Sequence, residues 1–167
     1  MFAEAASVGG LEIQLVYYGG RQTIASRWMT DGRQLGPAMR RIECVGGYTQ
    51  IQKVLTHTRR MHDEAPVAAL VFIGDAMEES IDALCAGANE LGARNIRAFL
   101  FQEGESEPVE KAFRAIARAT HGAYAKFTSG SAKELGALLR AVAAYCAGGL
   151  KALEGKKEAV ALLQQLK

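Results

Sequence analysis

Residues 67–75 read Val67-Ala68-Ala69-Leu70-Val71-Phe72-Ile73-Gly74-Asp75, a short apolar run closed by a glycine and an acid. A run this short and uniform suits a strand buried on both faces, as in a parallel sheet covered by helices. Ala76-Met77-Glu78-Glu79-Ser80 follows, and then Ile81, Leu84, Cys85, Ala88 and Leu91 recur at helical spacing. The stretch predicts a strand, a tight turn and an amphipathic helix. In open α/β sheets ligands gather at the carboxyl ends of the strands, which makes Asp75 the first candidate functional residue. Asp75 also has a plainer reading, as the cap of a helix beginning near Met77. Glu78 and Glu79 would then add negative charge at the same helix N-terminus.

Working upstream, Ile51, Val54, Leu55 and Thr58 share one helix face, and Gly46-Gly47-Tyr48-Thr49-Gln50 leads into it. Two glycines permit unusual backbone angles, and Thr49 at the helix start suits an N-cap. Asp31 caps an earlier helix reaching about Ile42, with Pro37 either near its true start or at a kink. Leu11–Tyr18 and Gln22–Trp28 flank Gly19-Gly20-Arg21 and predict an antiparallel hairpin, its second strand at the sheet edge. Met1–Val8 resembles the last turns of a helix stopped by Gly9-Gly10. Downstream, Asn95–Phe101 predicts a strand and Val109, Ala112, Phe113 and Ile116 a helix ended by Gly122. Ala123–Phe127 predicts a last strand and Leu135–Cys146 a further helix, with Ser131 as its cap. Strands alternating with helices give an α/β fold: a doubly wound, mostly parallel, Rossmann-like sheet with one antiparallel edge strand.

With 167 residues, 49% of them hydrophobic and 23% charged, the chain has the composition of a globular domain. A net charge of +2 points to neither nucleic acid nor an anionic membrane as partner. No apolar run is long enough to span a bilayer, and the N-terminus lacks the basic start of a secretory signal, so a cytosolic location is expected. Cys44, Cys85 and Cys146 are far apart and form no CxxC pair; Cys85 and Cys146 read as small core residues on helices. His57 and His62 are five apart, not the four that places two ligands on one helix face. There is no GxSxG elbow, no phosphate loop and no GxGxxG fingerprint.

LVFIGDAMEES, preceded by GGYTQI and followed by NIRAFLFQEG, resembles the later two-thirds of a von Willebrand factor A-like domain of bacterial type. The resemblance covers Met1 to Ala147 and implies the same doubly wound sheet. It also implies a metal-ion-dependent adhesion site built from three loops. Thr49 matches the second loop and Asp75 the third, with Gly47, Gly74 and Gln102 expected around them. The first loop's DxSxS motif has no counterpart, because only Met1–Gly10 precede the strand Leu11–Tyr18. One hydroxyl and one carboxylate make a weak site, so Mg2+ or Ca2+ is expected to bind weakly, if at all.

Residues 1–147 are thus expected to form the α/β domain, incomplete at its start. Residues 148–167 form an amphipathic tail carrying Leu153, Val160, Leu163 and Leu166. The family's first strand would lie between Leu11–Tyr18 and Val67–Ile73, and its loss opens two strand edges. Three explanations stand: a start methionine set too late, a piece of a longer protein, or closure by the protein itself. A homodimer, with the tail adding apolar contact, is the expected form of closure. The expected function is non-enzymatic binding of a partner protein. The competing expectation is a metal-dependent hydrolase or phosphatase-like enzyme using Asp75, although no nucleophile motif or paired carboxylate supports it.

Overall fold

The computed structural model describes residues 10–43, 46–128, 130–154 and 159–166. The helical end expected at Met1–Val8 and the residue Cys44 lie outside the described residues. In chain order the elements are β1 (Val16–Gly19), β2 (Gln22–Ala25), a 3-10 turn (Gly32–Gln34), α1 (Leu35–Arg40), α2 (Ile51–Glu64), β3 (Ala69–Gly74), α3 (Ile81–Gly92), β4 (Arg97–Glu103), α4 (Glu107–Ala119), β5 (Ala123–Phe127), α5 (Ala132–Gly148), a second 3-10 turn (Leu150–Leu153) and α6 (Val160–Leu166). They fall into two compact units. One holds the described residues of Met1–Tyr48 and Ala132–Val160, the other those of Thr49–Ser131 and Ala161–Lys167. The expected tail is therefore divided: 148–160 group with the first unit and 161–166 with the second.

The second unit is a βαβαβ succession with strand order β3-β4-β5, all parallel. β4 is central, and Ala98 to Gln102 are buried along it. α3 packs between α2 and α4, and α4 packs on β4 and β5. The buried stripe of α4 is Val109, Ala112, Phe113, Ile116 and Ala117, the spacing of one helix face. Each large apolar side chain buried this way contributes about 1.5–3 kcal/mol. Phe113 also meets Phe72 of β3 edge to face, 5.4 Å between centroids.

Both helix-to-strand turns bend through a left-handed residue that is not glycine. Asn95 (φ 59°) follows α3 and His121 (φ 52°) follows α4. Ile96 N then donates to Leu91 O, and Gly122 N to Ala117 O at 2.8 Å, closing each helix end. Gly122 was expected to end α4, and the left-handed turn there belongs to His121. The role of Gly122 is closeness: a Cβ there would lie 1.9 Å from the carbonyl oxygen of Ala98. Gly92 likewise lets α3 approach Ala119 at the end of α4, where a Cβ would fall 2.2 Å from the carbonyl oxygen.

The free side of β5 is occupied by the C-terminal helix. Gln165 Oε1 accepts from Tyr124 N at 2.9 Å, and Gln165 Nε2 donates to Tyr124 O at 2.8 Å. One side-chain amide thus makes the pair of bonds that a neighbouring strand would make. Leu153, Leu162 and Leu166 are buried within the chain. This corrects the expectation that the tail holds its apolar face in reserve for a dimer.

In the first unit β1 and β2 pair antiparallel around Gly20-Arg21, with Gly20 at φ 57°. The hairpin is shorter than Leu11–Tyr18 and Gln22–Trp28. Ser26 takes Leu15 N on its hydroxyl, and pairing resumes only at Ile13 with Met29. Three residue steps on one side match two on the other, so the ladder is broken by a bulge. The hairpin was expected at the edge of the parallel sheet. Among the described residues it forms a separate two-stranded sheet, β1 beside β2. Asp31 does cap, through Arg33 N at 2.9 Å, but it starts the 3-10 turn that runs into α1, and α1 ends at Arg40 rather than Ile42. Pro37 sits in the first turn of α1, where its missing N–H has no helical partner to lose. Among the described residues, no helix is long and apolar enough to cross a membrane.

Gly122→Ala is expected to destabilise the protein by about 3 kcal/mol, the upper end of ordinary overpacking, because the obstructing atom is backbone. Gly46→Ala, which meets nothing within 4 Å, should leave the urea midpoint nearly unchanged.

Candidate functional site

The carboxyl end of the parallel sheet is assembled from three segments: the residues leading into α2, the loop from Asp75 to Ser80, and the end of β4. α2 returns toward the start of β3, so its N-terminus lies where β3 finishes. That N-terminus has no cap of its own. Gln50 occupies the N-cap position without a side-chain cap bond, its Oε1 accepting instead from Lys53 Nζ at 2.9 Å, and no acid stands in the first turn. An uncapped helix start leaves backbone N–H groups without partners.

Glu79 and Glu78 supply them from the loop after β3. Glu79 Oε2 accepts from Ile51 N at 2.6 Å and its Oε1 from Gln52 N at 3.0 Å. Glu78 Oε2 accepts from Thr49 N at 2.9 Å, and Glu78 N donates back to Thr49 Oγ1 at 3.3 Å. These bonds correct two expectations. Thr49 is not the N-cap of α2; its hydroxyl holds the facing loop. Glu78 and Glu79 do not reinforce the helix that follows them; they cap the one before β3. Asp75 does not cap a helix either, since α3 begins only at Ile81, behind Ser80. Asp75 is exposed.

The remaining expected site residues have structural tasks. Gly74 and Gln102 are register neighbours on β3 and β4. Gly74 stands against the Phe72 ring, where a Cβ would come within 3.1 Å. Gln102 is fully buried; its Oε1 accepts from Tyr124 Oη at 2.6 Å and its Nε2 donates to Ser106 O at 2.8 Å. Both ends of that amide are therefore engaged. Gly47 belongs to the first unit, where its Cα faces the hairpin turn, 2.8 Å from Gly20 O to a built Cβ.

Beside Gln102 a polar chain ties β5 to α4. Lys126 Nζ meets Glu110 at 2.6 Å and Glu105 at 3.0 Å; Arg114 Nε donates to Glu110 at 2.8 Å and its guanidinium lies 4.4 Å from the Tyr124 ring centroid. Lys126, then Arg114, hold the Glu110 carboxyl below its ordinary range. Burial, then Glu110, pushes the Tyr124 phenol up.

These residues do not make a cation cage. The Thr49 hydroxyl receives the Glu78 N–H, both neighbouring glutamates are spent on backbone N–H groups, and Asp75 stands as a single exposed carboxylate. Among the described residues no three His, Cys, Asp or Glu side chains come together as a metal-binding group. Glu78 and Glu79 were the residues that sequence reading missed as a pair with α2. The signal was present: a helix start with a poor N-cap residue, and two acids in the loop that ends at the same edge of the sheet. Comparison with family models, with curated proteins and with solved structures finds no match to the chain.

The Thr49 N–H, then its hydroxyl, lower the Glu78 carboxyl from its ordinary 4.5. A lowered folded-state value means the unfolded chain binds the proton more readily, so this contribution is complete above that pH and is lost as pH falls below it. Urea unfolding from pH 7 to pH 3 should show a shallower acid loss for Glu78→Gln than for the parent. Glu79→Ala should cost about 1 kcal/mol at neutral pH, the usual value of an N-cap.

Proposed function

We propose that the chain is a non-enzymatic protein-interaction module of von Willebrand factor A-like type, with an adhesion site that has lost its metal-binding character. The observation that carries this reading is the bonding of the Thr49 segment to the post-β3 loop by Glu78 and Glu79. The two loops that would present metal ligands are held together by the protein's own carboxylates. What remains at the surface is a rigidly backed loop with Asp75 exposed on it. A fixed loop with one free carboxylate suits recognition of a partner carrying a complementary cation, since orientation is already set before contact. Acid–base or nucleophilic chemistry needs a second group within reach of the first, and the glutamates beside Asp75 are committed to backbone.

The test has two arms. A photo-crosslinking residue placed at Ala76 should capture a distinct protein from native lysate, and Asp75→Lys should abolish capture while the same label at Lys111 gives none. Phosphate-ester and carboxylic-ester substrates offered with Mg2+ or Mn2+ should give no turnover that depends on Asp75. Turnover abolished by Asp75→Ala would replace this reading with the hydrolase.

Self-association belongs to the same reading. β3 is an edge strand of its sheet among the described residues, and Ile73 on it is 38% exposed. Pairing with a second copy along β3 would satisfy its backbone groups. Light scattering after size exclusion should give twice the mass of a single chain, and Val71→Pro should return it to one. A folded monomer at tens of micromolar would overturn the pairing.

A further inference from the structure

At the amino end of the parallel sheet, away from the Glu78–Glu79 clasp, a cavity of about 520 Å³ opens between α4, β4, β5 and α6. Arg97, Arg114, Arg118 and His121 line it, with Gln165 and Leu166 on the far wall, and no acidic side chain among the described residues reaches it. Each base is held differently. Arg97 Nη1 donates to the carbonyls of His121 at 2.9 Å and Leu166 at 3.3 Å, which fixes the guanidinium by backbone. Arg114 is anchored through Nε by Glu110 and by the face of Tyr124, and its Nη groups make no hydrogen bond among the described residues. Arg118 makes no ion pair among the described residues.

A basic residue at a helix C-terminus offsets the helix dipole, and that accounts for Arg118 and His121. It does not account for Arg97, which opens β4, or for Arg114, which stands in the middle of α4. β4, α4 and the turn after α4 bring three guanidinium groups and one imidazole to one concavity. Like charges brought together repel unless an anion is placed among them.

We propose that this cavity binds a small phosphomonoester, its phosphate held by Arg114 and Arg118 against Arg97. The planar guanidinium fork matches the tetrahedral oxygens of phosphate through paired N–H donors. The cavity is larger than a phosphate needs, and Leu166 offers apolar wall to the group that carries it. A free phosphate ion satisfies the same donors, so the source is decided by comparison.

Isothermal titration of the full chain with inorganic phosphate, ribose 5-phosphate and AMP at low salt tests this. Saturable binding is expected, weakening as salt rises. Arg118→Ala and Arg114→Gln should each lower affinity about tenfold or more, the scale of a lost charge-assisted bond, while Arg118→Lys retains part of it. Arg33→Ala, outside the cavity, should change nothing. Tighter binding of the two esters assigns the site to a phosphorylated metabolite, and equal affinities assign it to phosphate itself. Unchanged affinity in Arg118→Ala, or no saturation by any probe up to about 10 mM, would overturn the proposal.

Discussion

The start of α2 and the loop that faces it depend on one carboxylate. Glu79 closes the N-terminus of α2 by accepting from Ile51 N and Gln52 N together. Neither partner has a substitute nearby: Gln50 gives no side-chain cap and the first turn carries no acid. The helix macrodipole and the unpaired N–H groups act in the same direction, so a carboxylate there gains from both. The same site on other α/β folds is where a phosphate is received. Here the chain fills it with itself, and in doing so fixes the path of the loop from Gly74 to Ser80. The placement of Asp75 and the start of α3 both follow from that path.

Charge in this unit is partly separated along the strand direction. Asp75, Glu78, Glu79, Glu103 and Glu105 stand at the carboxyl end; at the amino end Arg97, Arg118 and His121 line the cavity, while Asp63 and Glu90 there pair with Arg94 and Arg59. Lys126, paired with Glu105 and Glu110, and Lys53, bonded to Gln50, are basic groups at the carboxyl end. The C-terminal Arg118 of α4 and the acids in its first turn agree with dipole rules, whereas α2 ends in Asp63 and Glu64. A partner read by cations and a ligand read as an anion would meet different ends of the molecule.

The parallel core was legible because its signals are local. β5 was read at its observed bounds from Ala123-Tyr124-Ala125-Lys126-Phe127, and the α4 stripe from Val109 to Ile116 is buried as its periodicity requires. β3 and β4 each begin two residues later than read: Val67 and Ala68 are apolar without being paired, and Asn95 is the left-handed residue of the turn before β4. The site was read less well for a physical reason. Capping was assigned to the nearest residue in sequence, Thr49 for α2 and Asp75 for α3, whereas the bonds are made across 27 and 28 residues. Val67 N shows the same pattern on a smaller scale, finding His62 Nδ1. A hairpin signal at Gly19-Gly20 says that two strands pair with each other, and nothing in it says which larger sheet they join. Glycine was read as conformational freedom, yet Gly122 and Gly92 serve closeness, which depends on what packs opposite.

The amide of Gln165 on Tyr124 has a bearing on what kind of assembly the sheet permits. A sheet with two accessible edges can add copies head to tail, β5 of one against β3 of the next, and such addition has no natural end; it grows a filament. With β5 stoppered by its own C-terminal helix, that route requires the stopper to come out. For this sheet, among the described residues, the pairing left is β3 against β3, and a pair formed that way would close at two. For copies that pair along this sheet, a glutamine side chain would stand between a finite particle and a fibre.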